Sequence, residues 1–135
     1  MNSHFHAVVW VDHREARIFF VGLSGEDRFV LHPHNPAKHL HHKANSIGSG
    51  HVSPDKQFMK SIGDTLSDAR EILILGPAGA KTELAKYLRE YRSSIGNRIV
   101  AILDADHPGD GQIVDYAKRY FKISKHSTTT ISANR

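Results

Sequence analysis

Two short apolar runs, Glu71–Leu75 (Glu-Ile-Leu-Ile-Leu) and Arg98–Leu103, bracket a stretch with helical periodicity. A strand, a helix and a strand in that order require the strands to lie parallel, because the crossover returns the chain to the same end of the sheet. The hand of that crossover is fixed as right. The intervening helix follows the Gly76–Gly79 turn, carries Leu84, Leu88, Tyr91 and Ile95 along one face, and ends at Gly96-Asn97.

The pattern extends in both directions. Upstream, Ser53-Pro54-Asp55 reads as a helix start, with a capping side chain, proline at the first helical position and an acid in the first turn. Phe58, Ile62, Leu66 and Ala69 then recur at helical spacing. Downstream, Pro108-Gly109-Asp110-Gly111 breaks the chain before a helix carrying Ile113, Ala117, Tyr120 and Phe121. The N-terminal part is different. His6–Asp12, Glu15–Gly22 and Asp27–Leu31 are β-rich runs joined by short links, which predicts an antiparallel meander. The fold class is therefore α/β, with the order β-β-β-α-β-α-β-α and a mixed, largely parallel sheet. Val8, Val9, Ile72, Ile74, Val100 and Ile102 are expected in its core, with Glu71–Leu75 and Ile99–Leu103 as adjacent parallel strands.

A chain of 135 residues, 39% hydrophobic, suits one compact domain. The expected domain covers 1–123, with a polar tail at 124–135 that is expected to fray. No apolar run approaches the ~20 residues of a membrane span, and the start, Met-Asn-Ser-His-Phe-His, lacks the features of a signal peptide. The absence of cysteine excludes a disulfide framework and thiolate chemistry, so a cytoplasmic location is expected. The formal charge of +4 permits an anionic partner without requiring one.

Four features could carry chemistry. The stretch from Arg28 to Pro54 has no acid, but holds Lys38, Lys43 and His32, His34, His39, His41, His42 and His51. A connection this long (33–52) reads as a basic arm approaching phosphates or as a solvated loop. A metal site is the third alternative, although the spacing matches no zinc pattern. The second feature, Gly76-Pro77-Ala78-Gly79-Ala80-Lys81-Thr82, opens a helix where free amides favour an anion. It is also an ordinary tight turn, and it is not a Walker A loop. Third, Asp12 and Asp104 end strands and Asp106 lies close by. If those ends were neighbours, they could bind magnesium as two-metal nucleases do; aspartates also commonly end strands and start turns. Fourth, from Ala117 onward the chain has Lys118, Arg119, Lys122, Lys125 and Arg135 and no acid, which reads as a solvated surface or a weak nucleic-acid arm.

Several of these segments resemble the middle domain of archaeo-eukaryotic class I peptide-chain release factors and their relative Pelota. The residues that carry the likeness are Ile72-Leu73-Ile74-Leu75-Gly76 followed by Lys81-Thr82-Glu83-Leu84, and the opening hairpin from Val8 to Phe20 with Asp12 at its turn. The resemblance spans about Ala7 to Phe121, is similar to bacterial single-domain relatives labelled translational machinery proteins, and implies a ribonuclease H-like topology. It does not carry peptide release over. Where release factors have Gly-Gly-Gln, this chain has Ile47-Gly48-Ser49-Gly50-His51.

The function expected from these readings is an RNA- or ribosome-associated binding domain without peptide-release activity, with no cofactor, no metal and no catalytic residue assigned. Its anion-binding residues would be Lys38, His41, His42, Lys43, His51, Lys81, Thr82, Lys118, Arg119 and Lys122. The alternatives are a metal-dependent nuclease using Asp12, Asp104 and Asp106, and a structural homo-oligomer pairing through a strand edge.

Overall fold

The computed structural model describes residues 5–22, 25–33 and 54–122. Among the described residues the expected order of five strands and three helices is found, with one further short helix: β1 (His6–Val11), β2 (Ala16–Gly22), β3 (Gly25–Leu31), α1 (Pro54–Thr65), β4 (Glu71–Gly76), α2 (Ala80–Tyr91), the short α3 (Ser93–Gly96), β5 (Ile99–Asp104) and α4 (Asp110–Phe121). The sheet order is β3-β2-β1-β4-β5. The β3-β2-β1 side is antiparallel, and β1-β4-β5 is parallel. This mixed sheet has the topology that the resemblance implies.

Strand periodicity sorts the side chains onto two faces. Val9, Val11, Ile18, Phe20, Ile72 and Ile74 pack under α1 and α2 through Phe58, Ile62, Leu66, Leu84 and Leu88. Val8, Trp10, Phe19, Val21, Leu73 and Leu75 face the other way, under Ile113 and Ala117 of α4. Both faces are therefore covered, and β1 and β4, at the centre, read as near-continuous apolar runs for that reason.

Gly76 marks a close approach. A Cβ at this position would lie 2.4 Å from the Val11 carbonyl oxygen, so only hydrogen fits where β4 passes the end of β1.

Three details differ from the sequence expectation. Val100 is 43% exposed rather than in the core. Ile72 pairs with Ile99 but Leu73 pairs with Ala101, so Val100 is the extra residue of a β-bulge and is turned out of the sheet. The helix expected to run through Ile95 stops at Arg92, whose φ of −137° and ψ of 58° leave the helical region. Tyr91 is consequently exposed, its ring 5.1 Å from that of Tyr87 and tilted by 41°, while Ile95 is buried from the separate turn α3. Tyr120 is also exposed, at the edge of α4.

Candidate functional site

The connections after β4 and β5 leave the sheet on opposite sides. The chain from β4 enters α2, which packs on the Val9–Ile74 face, whereas the chain from β5 enters α4, on the Trp10–Leu75 face. When neighbouring parallel strands diverge in this way, a crevice opens outside their carboxyl ends, and open α/β sheets bind ligands at this point. Here the crevice is a cleft of about 410 Å³, lined by Leu75 from the end of β4, Asp104 and Ala105 from the end of β5, Pro108, and Gln112, Ile113, Asp115, Tyr116 and Arg119 of α4.

The rim of the cleft is held by ion pairs. Lys81 is a buried cation whose ammonium donates to the Ala78 carbonyl at 2.6 Å and lies 2.8 Å from Asp104 Oδ1. It fixes the turn that opens α2 and ties it to β5. It is thus not the free surface lysine that a phosphate contact at this helix start needs. Thr82 is exposed beside it, with its backbone N–H already bonded to the Gly79 carbonyl. The cap residue Gly79 has no side chain to satisfy the helix start.

On the other side, Trp10 organises the loop between β5 and α4. Its indole N–H donates to the Ala105 carbonyl at 3.1 Å, and the His107 ring lies 5.0 Å from its own. The Arg17 guanidinium covers the indole at 4.5 Å, donates to the Pro108 carbonyl and reaches Asp110 at 2.9 Å, while Arg28 approaches the same carboxylate at 2.8 Å. The Arg17 hydrogen bond, reinforced by the Arg28 charge, holds the Asp110 carboxyl below the usual carboxylate range against a smaller opposing effect of burial. Trp10 and Arg17 are cross-strand partners, which is how two residues of the meander come to grip a loop about 90 positions away in the chain.

A strand separates Asp12 from Asp104. β4 lies between β1 and β5, and two strand spacings of about 4.8 Å put those strand ends roughly 10 Å apart. Asp12 Oδ1 accepts from the backbone N–H groups of Arg14 and Glu15, closing the β1–β2 turn. Asp104 pairs with Lys81, and Asp106 with the ring of His107, which also lies 3.6 Å from Asp12. Among the described residues no group of three or more His, Asp or Glu side chains is placed to hold a metal ion.

At the far end of α4, Arg119 is exposed and paired with Asp115 at 2.9 Å, Lys118 is half-buried, and Lys122 is exposed in a left-handed C-cap. The three cations sit in and just beyond the last turn, where the helix dipole favours positive charge. Lys38, His41, His42, Lys43 and His51 lie outside the described residues, as do the rest of the basic stretch beyond Pro33 and the tail at 124–135. Tyr116, Gln112 and Arg17 were not singled out by sequence reasoning. The i, i+4 spacing of Gln112, Tyr116 and Tyr120 is the signal that could find them, but the apolar periodicity of α4 places Tyr120 with Ile113 and Ala117.

The fold defined above, a mixed five-stranded sheet covered on both faces, is shared with translation factors. Archaeoglobus fulgidus Pelota superposes with a TM-score of 0.59 at 13% identity, over 87% of this chain and 32% of that one. The archaeal translation termination factor aRF1 gives 0.57 at 15% identity, over 98% and 38%. A further archaeal protein gives 0.58 at 16% identity, over the same shares. The chain thus spans about a third of the length of the structures it matches. No family model and no curated protein sequence matches it. Among the described residues, no helix is long and apolar enough to cross a membrane.

Proposed function

We propose that this chain is an RNA- or ribosome-associated binding domain, acting in the cytoplasm by electrostatic contact and without peptide-release activity. The observation that carries this reading is the cationic end of α4. Arg119 and Lys122 are exposed and Lys118 is half-buried there, in a stretch that has no acid from Ala117 to the end of the chain. The fold shared with Pelota and aRF1 supports translation as the context. The absence of Gly-Gly-Gln, with Gly48-Ser49-Gly50-His51 in its place, is the reason to leave peptide release out. In the same reading Lys38, His41, His42, Lys43 and His51 add phosphate contacts from the basic stretch. Lys81 and Thr82 stand at the start of α2, where Lys81 fixes the turn through the Ala78 carbonyl and Asp104.

Recovery of the native protein with its bound RNA, read out by ribosome sedimentation, tests this directly. Co-sedimentation with ribosomal particles, released by raised salt, is the expected result. A protein that remains at the top of the gradient and carries no RNA overturns it.

A further inference from the structure

The cleft at the carboxyl ends of β4 and β5 has an aromatic face that the electrostatic reading leaves unused. Gln112, Tyr116, Arg119 and Tyr120 fall on one side of α4 by their i, i+4 and i, i+3 spacing. Both tyrosines are 40% exposed, and their ring centroids are 6.4 Å apart at an interplanar angle of 31°. Tyr116 lines the cleft, and Tyr120 continues from it toward Lys122. Large exposed rings interleaved with cations are the composition of a single-stranded nucleic-acid platform, in which bases stack and the backbone follows the charges. We infer that this cleft seats one nucleotide of a single-stranded RNA, its base against Tyr116 and the next base on Tyr120.

The chemistry of the rim sets the orientation. The Asp104 side chain is almost fully exposed and its Oδ1 is paired with the buried Lys81, so its other oxygen accepts from hydroxyl groups and repels phosphate. That places the ribose hydroxyls, which only RNA has in full, at Asp104. The Asp115 carboxylate, which lines the opposite rim and pairs with Arg119, repels phosphate as well, so the phosphate lies past the end of α4, towards Arg119 and Lys122. The floor, Leu75 and Ala105, is apolar and matches a base face. A volume of about 410 Å³ stands near the lower end of small-ligand sites (about 300–1,000 Å³), enough for one nucleotide and too small for a duplex.

This inference rests on the proposal that the chain binds RNA, and its test separates the two. The full chain is titrated with an unstructured RNA oligomer and with the DNA of the same sequence, across a salt series. Tyr116→Ala and Tyr120→Ala are each expected to weaken RNA binding by about tenfold, as loss of one stacked base does. The salt slope should stay unchanged, because stacking releases no counterions. Tyr116→Phe, which keeps the ring, should restore the affinity. RNA should bind more tightly than DNA, and the methyl resonances of Leu75 and Ile113 should shift on binding. Both tyrosines are exposed, so the variants are expected to fold, and an unchanged melting curve confirms it. Ribosome association with full RNA affinity in folded Tyr116→Ala overturns the cleft assignment alone. Absence of any RNA or ribosome binding by the unaltered chain overturns both readings.

Discussion

The Lys81 ammonium lies 2.8 Å from Asp104 Oδ1 and ties the first turn of α2 to the carboxyl end of β5, although the lysine is buried and the aspartate side chain is almost fully exposed. The pair is therefore asymmetric. Its structural weight lies in the lysine stem and in the ammonium bond to the Ala78 carbonyl. Lys81→Ala should lower the unfolding free energy by about 1–3 kcal/mol, the range for losing buried packing and a hydrogen bond together. Lys81→Met, which keeps the stem, should lose less, and Asp104→Asn less again. Urea denaturation of the three variants checks the order. A Lys81→Ala protein as stable as the unaltered chain would contradict it.

Gly76 admits no side chain because the Val11 carbonyl oxygen occupies the space. Gly76→Ala should cost about 1–3 kcal/mol, the usual range for overpacking a well-filled site. Gly79→Ala, at a position with nothing within 4 Å of the added methyl, should be tolerated. Thermal melts of the two variants side by side measure the contrast.

The Asp110 carboxyl, bonded to Arg17 and attracted by Arg28, titrates below its ordinary value in the folded chain. A depressed folded value means that the stabilisation is complete above the unfolded carboxylate value of about 3.9 and is lost as pH falls through the lower folded value. Asp110→Asn should therefore be less stable than the unaltered chain at pH 7, and the gap should close in acid. A gap that stays constant from pH 7 to pH 2 would show that the ion pair carries no linkage.

His6 behaves in the same sense for a different reason. Desolvation between Glu71 and the Phe121 ring lowers its value, and the nearby Glu71 carboxylate only partly opposes this. The unfolded chain takes up its proton near the ordinary imidazole value of about 6.5, whereas the folded chain resists until lower pH. The His6 contribution is thus full above that value and lost on acidification. The fall in stability between pH 7.5 and 5.5 should be shallower in His6→Gln, as read by denaturation at each pH.

The sheet was legible in the sequence because its signals are local. Ile72–Leu75 and Ile99–Leu103 are uninterrupted apolar runs with a helical stretch between them, which leaves few alternatives to neighbouring parallel strands. Val100 escaped because a bulge depends on how two strands pair, which no single strand records. Arg92 escaped because its side chain gives no breaking signal; the helix ends where the chain turns to pack Gly96 against Arg89. The candidate cleft was hidden for a similar reason. It arises from two connections diverging to opposite faces, so Leu75, Asp104 and Tyr116 meet although they are far apart in the chain. The same separation kept the burial of Lys81 out of sight, since Lys81 is on α2 and its partner Asp104 ends β5.

The central claim, that the chain meets RNA through charge, is tested most directly by the salt dependence of RNA affinity in the unaltered chain and in Arg119→Gln/Lys122→Gln. Both residues are exposed, so the double variant is expected to keep the fold. Log affinity should fall linearly with log salt, and the variant should flatten the slope by about 1.4 for two phosphate contacts at roughly 0.7 each on a single strand. An affinity independent of salt, or a slope identical in the two proteins, would contradict it.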